Sequence, residues 1–113
     1  MYEALSYLQA ASNDPAAPVG LECSETFMVL VSDGMPNNSV PGGLSSNFGI
    51  DQASCANVAG RCSAEIAAYG ANNDMNPSQP GSHITTFTIG FSAPPAGQTY
   101  LQNVANNLSL IHI

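Results

Sequence analysis

The fold is decided by residues 27–34, which read FMVLVSDG and pass from five apolar side chains and a serine to a carboxylate and a glycine. A segment that is apolar at successive positions is typical of a parallel strand that helices cover on both faces. Asp33 is then expected at the carboxyl end of the strand, where open α/β sheets bind their ligands. Asp33 and Gly34 also favour a tight turn for local backbone reasons, so the segment alone is also consistent with a turn that binds nothing.

Two strands and three helices are predicted from the residue pattern. The first strand covers about residues 26–32, and the second is the β-branched and aromatic segment HITTFTIGF at residues 83–91. Apolar residues at helical spacing predict one helix at residues 3–10, another at 62–69 and a third that includes 100–105. The order helix, strand, helix, strand, helix is typical of a doubly wound α/β sheet.

The segments around these elements complete the predicted domain. Ser63 is expected to be the N-cap of the second helix, and Tyr69 and Phe91 are expected in the core. Residues 35–60 are rich in Pro, Asn, Ser and Gly, and this composition predicts a long loop above the first strand. Because two strands do not form a stable sheet alone, we expect either that further strands are missing or that the chain is a fragment.

The composition excludes several classes of function. The 113 residues include eight Asp and Glu but one basic residue, Arg61, which gives a formal net charge of −7. This charge repels phosphate backbones and anionic lipid surfaces, so a nucleic-acid partner is not expected. No membrane span is expected either, because no apolar window approaches the length of a spanning helix. Gly42 and Gly43 do not form a phosphate-binding loop of the P-loop type, because the chain has no lysine. The Gly-x-Ser-x-Gly elbow of α/β hydrolases is also missing from the sequence.

The three cysteines predict a disulfide and a compartment outside the cytosol, since their spacing matches no zinc site. A strand of six residues rises roughly 20 Å, which places Cys23 below the sheet and Cys62 near its upper edge. Bridged Cα atoms lie about 4.4 to 6.8 Å apart, so Cys55 is the better partner for Cys62. The rival pair, Cys23 with Cys55, requires the loop to descend the whole domain.

An ordered set of short motifs resembles a known family. The chain carries in succession Cys23, VLVSDGMPN at residues 29–37, a Cys-x-x-x-Ile-Ala-x-Tyr helix at 62–69, TFTIGF at 86–91, and a Leu-x-x-x-Ala helix at 101–105. This set resembles the von Willebrand factor type A domain, and most closely that of PilY-type tip adhesins and assembly factors of type IV pili. The similarity spans nearly all of residues 1–107. The two strands are similar to the fourth and fifth strands of that domain, so the resemblance implies an incomplete domain that lacks its first strands.

The resemblance implies a three-layer, Rossmann-like parallel sheet with a metal-ion-dependent adhesion site. In the family an Asp-x-Ser-x-Ser loop, a Thr and a strand-end Asp hold Mg²⁺ or Ca²⁺, and the strand-end Asp alone is matched here, by Asp33. Gly34, Asn37 and Asp51 are the expected residues of the ligand-binding loop. The intact domain is therefore expected to bind Mg²⁺ or Ca²⁺, whereas residues 1–107 alone are not expected to bind either ion tightly.

The function implied by the resemblance is binding without catalysis. We expect a cation-dependent adhesion module of the periplasm, outer membrane or cell surface, with pilus subunits or a host surface as its protein ligand. The alternatives are a type A domain of another surface protein, such as a Tad-pilus protein, and an α/β hydrolase fragment. In the family a calcium-binding propeller can follow the domain. Residues 108–113, LSLIHI, are similar to a translated transposase-end sequencing adapter and are expected to be a non-native tail.

Overall fold

The structure is a computed structural model that describes residues 1–12, 25–36, 42–55, 62–76 and 80–106. The described residues form both helices and a parallel pair of strands, so the predicted mixed α/β class is confirmed. The elements are α1 (Tyr2–Ser12), β1 (Thr26–Ser32), α2 (Leu44–Phe48), α3 (Gln52–Cys55), α4 (Ser63–Asn72), β2 (Ile84–Gly90) and α5 (Pro95–Asn106). Cys23, Asn37 and the predicted tail at residues 108–113 lie outside the described residues.

The two strands form a parallel pair. Their register runs from Thr26 opposite Ile84 to Ser32 opposite Gly90. Parallel neighbours need a crossover connection, and here α4 lies within the connection and packs on β2. The predicted parallel arrangement is therefore confirmed, and both strands end at the same edge of the sheet, called the carboxyl edge below.

Helices cover one face of the sheet. Both α4 and α5 pack on β2, and α1 packs on α4. Strand alternation turns Ile84, Thr86 and Thr88 of β2 toward these helices, and all three are buried. The core consists of two groups of buried side chains. One contains Leu5, Leu44, Phe48, Ile50, Cys55, Cys62, Ile66, Met75 and Ile84, and the other contains Ala67, Tyr100, Leu101 and Val104.

The other face of the sheet is uncovered by any described residue. Phe27, Val29 and Val31 of β1 point to this face and are 52%, 55% and 62% exposed. The side chains of Phe87 and Ile89, which lie opposite Val29 and Val31 in the register, are also partly exposed. We call these five residues the open face. The apolar run of β1 predicted cover on both faces, whereas the described helices α1, α4 and α5 all lie on one.

The prediction that Phe91 belongs to the core is wrong. Its side chain is 73% exposed. Phe91 directly follows β2, and the alternation of the strand turns it toward the same side as Phe87 and Ile89, away from α4 and α5. Tyr69, the other predicted core aromatic, is partly buried and packs its ring against Phe48 at a centroid distance of 5.0 Å.

The segment predicted as one long loop contains two short helices. In α2, Leu44 and Phe48 are buried in the core, and Gly43 and Gly49 flank the helix with φ angles of 85° and 64°. These left-handed conformations favour glycine because it has no Cβ. The segment is thus anchored by apolar side chains one helical turn apart, although most of its residues are polar.

Two helix boundaries differ from their predictions. Ser63 is the first residue of α4 rather than its N-cap, a position taken by Cys62 with a φ angle of 67° and no side-chain capping bond. The predicted helix at 100–105 is part of α5, which begins earlier at Pro95. Proline is well suited to a first helical position because its missing N–H has no partner there.

A disulfide joins the end of α3 to the beginning of α4. Its two cysteines, Cys55 and Cys62, have their Cα atoms 4.9 Å apart, and both are nearly fully buried. This is the pair that the spacing argument favoured over Cys23 with Cys55. The bond closes a short loop and holds the one-turn helices α2 and α3 against the core.

Replacing Thr86 with valine is expected to stabilise the fold. The Thr86 hydroxyl is fully buried and finds no hydrogen-bond partner among the described residues. A buried group of this kind costs on the order of 1 kcal/mol or more, so Thr86→Val should raise the free energy of unfolding by about 1 kcal/mol in urea denaturation. Thr88→Val is the matched control, because the Thr88 hydroxyl donates to the Leu101 carbonyl at 3.3 Å. A gain of stability in both variants would contradict the hydrogen-bond explanation.

Removing the disulfide is expected to destabilise the fold. The double substitution Cys55→Ala and Cys62→Ala should lower the free energy of unfolding by about 2 kcal/mol, because the unfolded chain loses a loop constraint. The check is urea denaturation with and without reductant. Reductant should move the native chain to the midpoint of the double variant and leave the variant unchanged. An unchanged midpoint of the fully reduced native chain would refute the stabilising role.

Candidate functional site

Among the described residues, the carboxyl edge of the sheet presents one acidic side chain. Asp33 directly follows β1 and is exposed. The neighbouring strand ends beside it, since the Phe91 N–H donates to the Ser32 carbonyl at 3.0 Å. Asp33 therefore lies at the edge where parallel sheets bind ligands, as its place in the sequence suggested. Within the described ranges, no three His, Cys, Asp or Glu side chains come together as a metal-binding group.

A tight bend holds the backbone on both sides of Asp33. The Ser32 hydroxyl accepts a hydrogen bond from the Gly34 N–H at 3.3 Å and donates to the Gly34 carbonyl at 3.0 Å. These bonds use the serine side chain, and the Asp33 side chain beside them is exposed. The local turn and the position at the carboxyl edge are thus both present, and the metal role of Asp33 stays a prediction.

Gly34 lies against the first turn of α5. A Cβ atom on Gly97 would be 2.9 Å from the Gly34 Cα atom, which is closer than real Cβ contacts. The two backbones therefore touch directly, and α5 begins beside the bend that carries Asp33. This contact positions Gly34 at the edge, and its role in binding a ligand remains a prediction.

Asp51 has a structural partner. Its Oδ1 atom accepts a hydrogen bond from the Ala53 N–H at 3.0 Å, at the start of α3. The Asp51 carbonyl also accepts hydrogen bonds from the backbone and the hydroxyl of Ser54. Asp51 thus caps α3, whose last residue forms the disulfide. Its predicted place in a ligand-binding loop stays untested, and Asn37 lies outside the described residues.

The structure also brings together two residues for which the sequence predicted no functional role. Asp74 and His83 are joined by a contact of 3.2 Å between Oδ1 and Nε2, and the same Oδ1 accepts the Gly81 N–H at 2.7 Å. The other ring nitrogen of His83 contacts the Ala71 carbonyl. These bonds close the connection between α4 and β2. Both side chains are at least 40% exposed, so the pair contributes little to stability.

The Asp74 and His83 pair lies far from Asp33. His83 directly precedes β2, at the amino end of the sheet, and Asp33 follows β1 at the carboxyl edge. A seven-residue strand rises about 23 Å, so the two sites are separate. No sequence pattern marks the pair, because its geometry depends on how the connection folds back onto the end of α4.

Comparisons of this chain with protein-family models, with curated proteins and with solved structures find no match. The structure itself defines the class of the protein as a mixed α/β fold, with a parallel strand pair and an exposed carboxylate at its carboxyl edge. None of the described helices has the length and apolar character needed to cross a membrane.

Substitution of Asp51 should distinguish capping from other roles. Asp51→Ala removes the oxygen that accepts the Ala53 N–H and should lower the free energy of unfolding by about 1 kcal/mol. Asp51→Asn keeps an oxygen at the same position and should retain most of that stability. Thermal unfolding measures the effect, and hydrogen exchange of the Ala53 amide locates it. Equal losses in the two variants would assign the effect to the charge instead of the cap.

Proposed function

We propose that this chain is part of a cation-dependent protein-binding module with a three-layer fold similar to the von Willebrand factor type A domain. The observation that carries the proposal is the parallel pairing of β1 with β2, which brings the exposed Asp33 to the carboxyl edge. Ligands of open α/β sheets bind at this edge because the loops that leave the strands form a crevice there.

Asp33 is suited to a hard cation. Mg²⁺ and Ca²⁺ prefer oxygen ligands, and a carboxylate at a strand end can bind either ion directly or through a water molecule. The hydrogen bonds between Ser32 and Gly34 fix the backbone on both sides of this carboxylate, and the Asp33 side chain is exposed. Asp33 would supply one ligand of such a site, so tight binding is proposed for the intact domain and not for the described residues alone.

A binding role is proposed in preference to catalysis. A hydrolytic triad would require a histidine close to a serine nucleophile and an acid. The Ser32 hydroxyl is engaged with the backbone of Gly34, and His83 lies with Asp74 at the other end of the sheet. The described part of the carboxyl edge thus favours a module that binds a protein ligand, with an α/β hydrolase fragment as the weakest alternative.

A type IV pilus biogenesis or pilus-tip protein is the proposed setting. The disulfide between Cys55 and Cys62 is compatible with the periplasm, the outer membrane or the cell surface. It lies in the insertion that contains α2 and α3, between Asp33 and α4, and this cysteine-bearing insertion favours a pilus-tip protein over a Tad-pilus surface protein. Pilus subunits or a host surface are the proposed ligands.

A metal titration tests the proposal. In the natural full-length protein, Asp33→Asn should weaken Mg²⁺ or Ca²⁺ binding by about 10- to 100-fold, because one oxygen ligand loses its charge. Isothermal titration calorimetry measures the affinity, and Glu65→Gln, an exposed change in the first turn of α4, is the control. If Asp33→Asn bound Mg²⁺ or Ca²⁺ with the same affinity as the native protein, the metal site would be removed from the proposal.

A further inference from the structure

The contact between Asp74 and His83 brings two hydrogen-bond acceptors together. Because the Ala71 carbonyl can only accept a hydrogen bond, the His83 Nδ1 atom that contacts it must carry a proton. In a neutral imidazole the other ring nitrogen, Nε2, then has a free lone pair. This nitrogen lies 3.2 Å from the Asp74 Oδ1 atom, which is also an acceptor. The contact is therefore favourable only when the two atoms share a cation.

The distance between these two atoms fits a metal ion as well as a proton. A proton makes the contact an N–H···O hydrogen bond, and such bonds are about 2.7 to 3.2 Å long. Two ligands that each lie about 2.0 to 2.1 Å from a tetrahedral metal ion are about 3.3 Å apart. The separation of 3.2 Å is at the upper limit of the first range and close to the second value. Asp74 and His83 thus have the spacing of a chelating pair.

Neighbouring backbone groups hold both side chains in position. The Gly81 N–H donates to the Asp74 Oδ1 atom at 2.7 Å, and the Ala71 carbonyl accepts from the His83 Nδ1 atom. A histidine that binds a metal ion typically donates its other ring N–H to a backbone carbonyl or a carboxylate in this way. Both side chains are at least 40% exposed, so an ion can reach them from solvent and keep water molecules as its other ligands.

The two donor atoms select the class of metal ion. An imidazole nitrogen together with a carboxylate oxygen suits Zn²⁺, Ni²⁺ or Cu²⁺, whereas Mg²⁺ and Ca²⁺ prefer oxygen ligands. No Lys or Arg lies among the described residues, and the formal net charge of the whole chain is −7, so the surrounding charge also favours a cation. With two protein ligands, binding is expected to be weaker than at structural zinc sites, which have four.

We propose that Asp74 Oδ1 and His83 Nε2 bind a divalent transition-metal ion of the Zn²⁺ class. The ion takes the position of the shared proton, and Nδ1 keeps its own proton. Because Asp74 follows α4 and His83 precedes β2, the bound ion joins the two ends of the connection between these elements. The site lies at the amino end of the sheet and is independent of the proposed function and of Asp33.

A Zn²⁺ titration of the 113-residue chain, with free thiols alkylated, tests this inference. Isothermal titration calorimetry should show saturable binding that Asp74→Asn weakens at least about ten-fold, because the ligand loses its charge but keeps an oxygen for the Gly81 N–H. His83→Gln should weaken binding at least as much. His112→Gln removes the other histidine of the chain and should bind like the native protein. Asp33→Asn should also bind Zn²⁺ normally, which separates this result from the Mg²⁺ and Ca²⁺ titration.

Two measurements keep the test independent of folding defects in these variants. In ¹⁵N NMR spectra of the native chain, Zn²⁺ should shift the His83 Nε2 resonance and leave Nδ1 protonated. The Tm should rise with Zn²⁺ concentration in the native chain and stay constant in His83→Gln, because the ion binds the folded pair. Coordination through Nδ1 would overturn the inference. So would a Zn²⁺ affinity that is equal in the native chain and in His83→Gln, since the ligands would then lie elsewhere.

Discussion

The parallel pairing of β1 with β2 determines the path of the chain, because parallel neighbours cannot be joined by a tight hairpin. The chain leaves β1 at the carboxyl edge and must enter β2 at the opposite, amino end. The helix α4 lies in this crossover and packs on β2, and the connection from α4 to β2 closes around Asp74 and His83. The same geometry brings Asp33, at the end of β1, beside the start of α5. The separation of the two polar sites is thus a direct result of strand direction.

The two faces of the sheet have different physical surroundings. On the covered face, Thr86 and Thr88 are buried among helices, and the Thr88 hydroxyl donates to the Leu101 carbonyl whereas the Thr86 hydroxyl has no hydrogen-bond partner among the described residues. On the open face, Phe27, Val29 and Val31 are exposed although their side chains are apolar. The covered face therefore has the character of a finished core, whereas the open face is apolar and uncovered by any described residue. This asymmetry is compatible with the proposed three-layer fold.

The strands and the position of Asp33 could be predicted from the sequence, because an unbroken apolar run that ends at a carboxylate is a local signal. The first strand was predicted at residues 26–32, and β1 covers Thr26–Ser32. The helices α2 and α3 could not be predicted, since helices of five and four residues are too short to show apolar periodicity. The exposure of Phe91 and the pairing of Asp74 with His83 depend on tertiary packing, which no local pattern encodes.

The contact between Gly34 and Gly97 has a mechanical consequence for the carboxyl edge. Because backbone meets backbone there, no side chain lies between the bend and α5 that could change its rotamer and absorb a displacement. A shift of α5 along or across the sheet would be passed on to the bend, and the neighbouring carboxylate would move with it. The position of the bend is thus coupled to the position of α5 at this corner of the molecule.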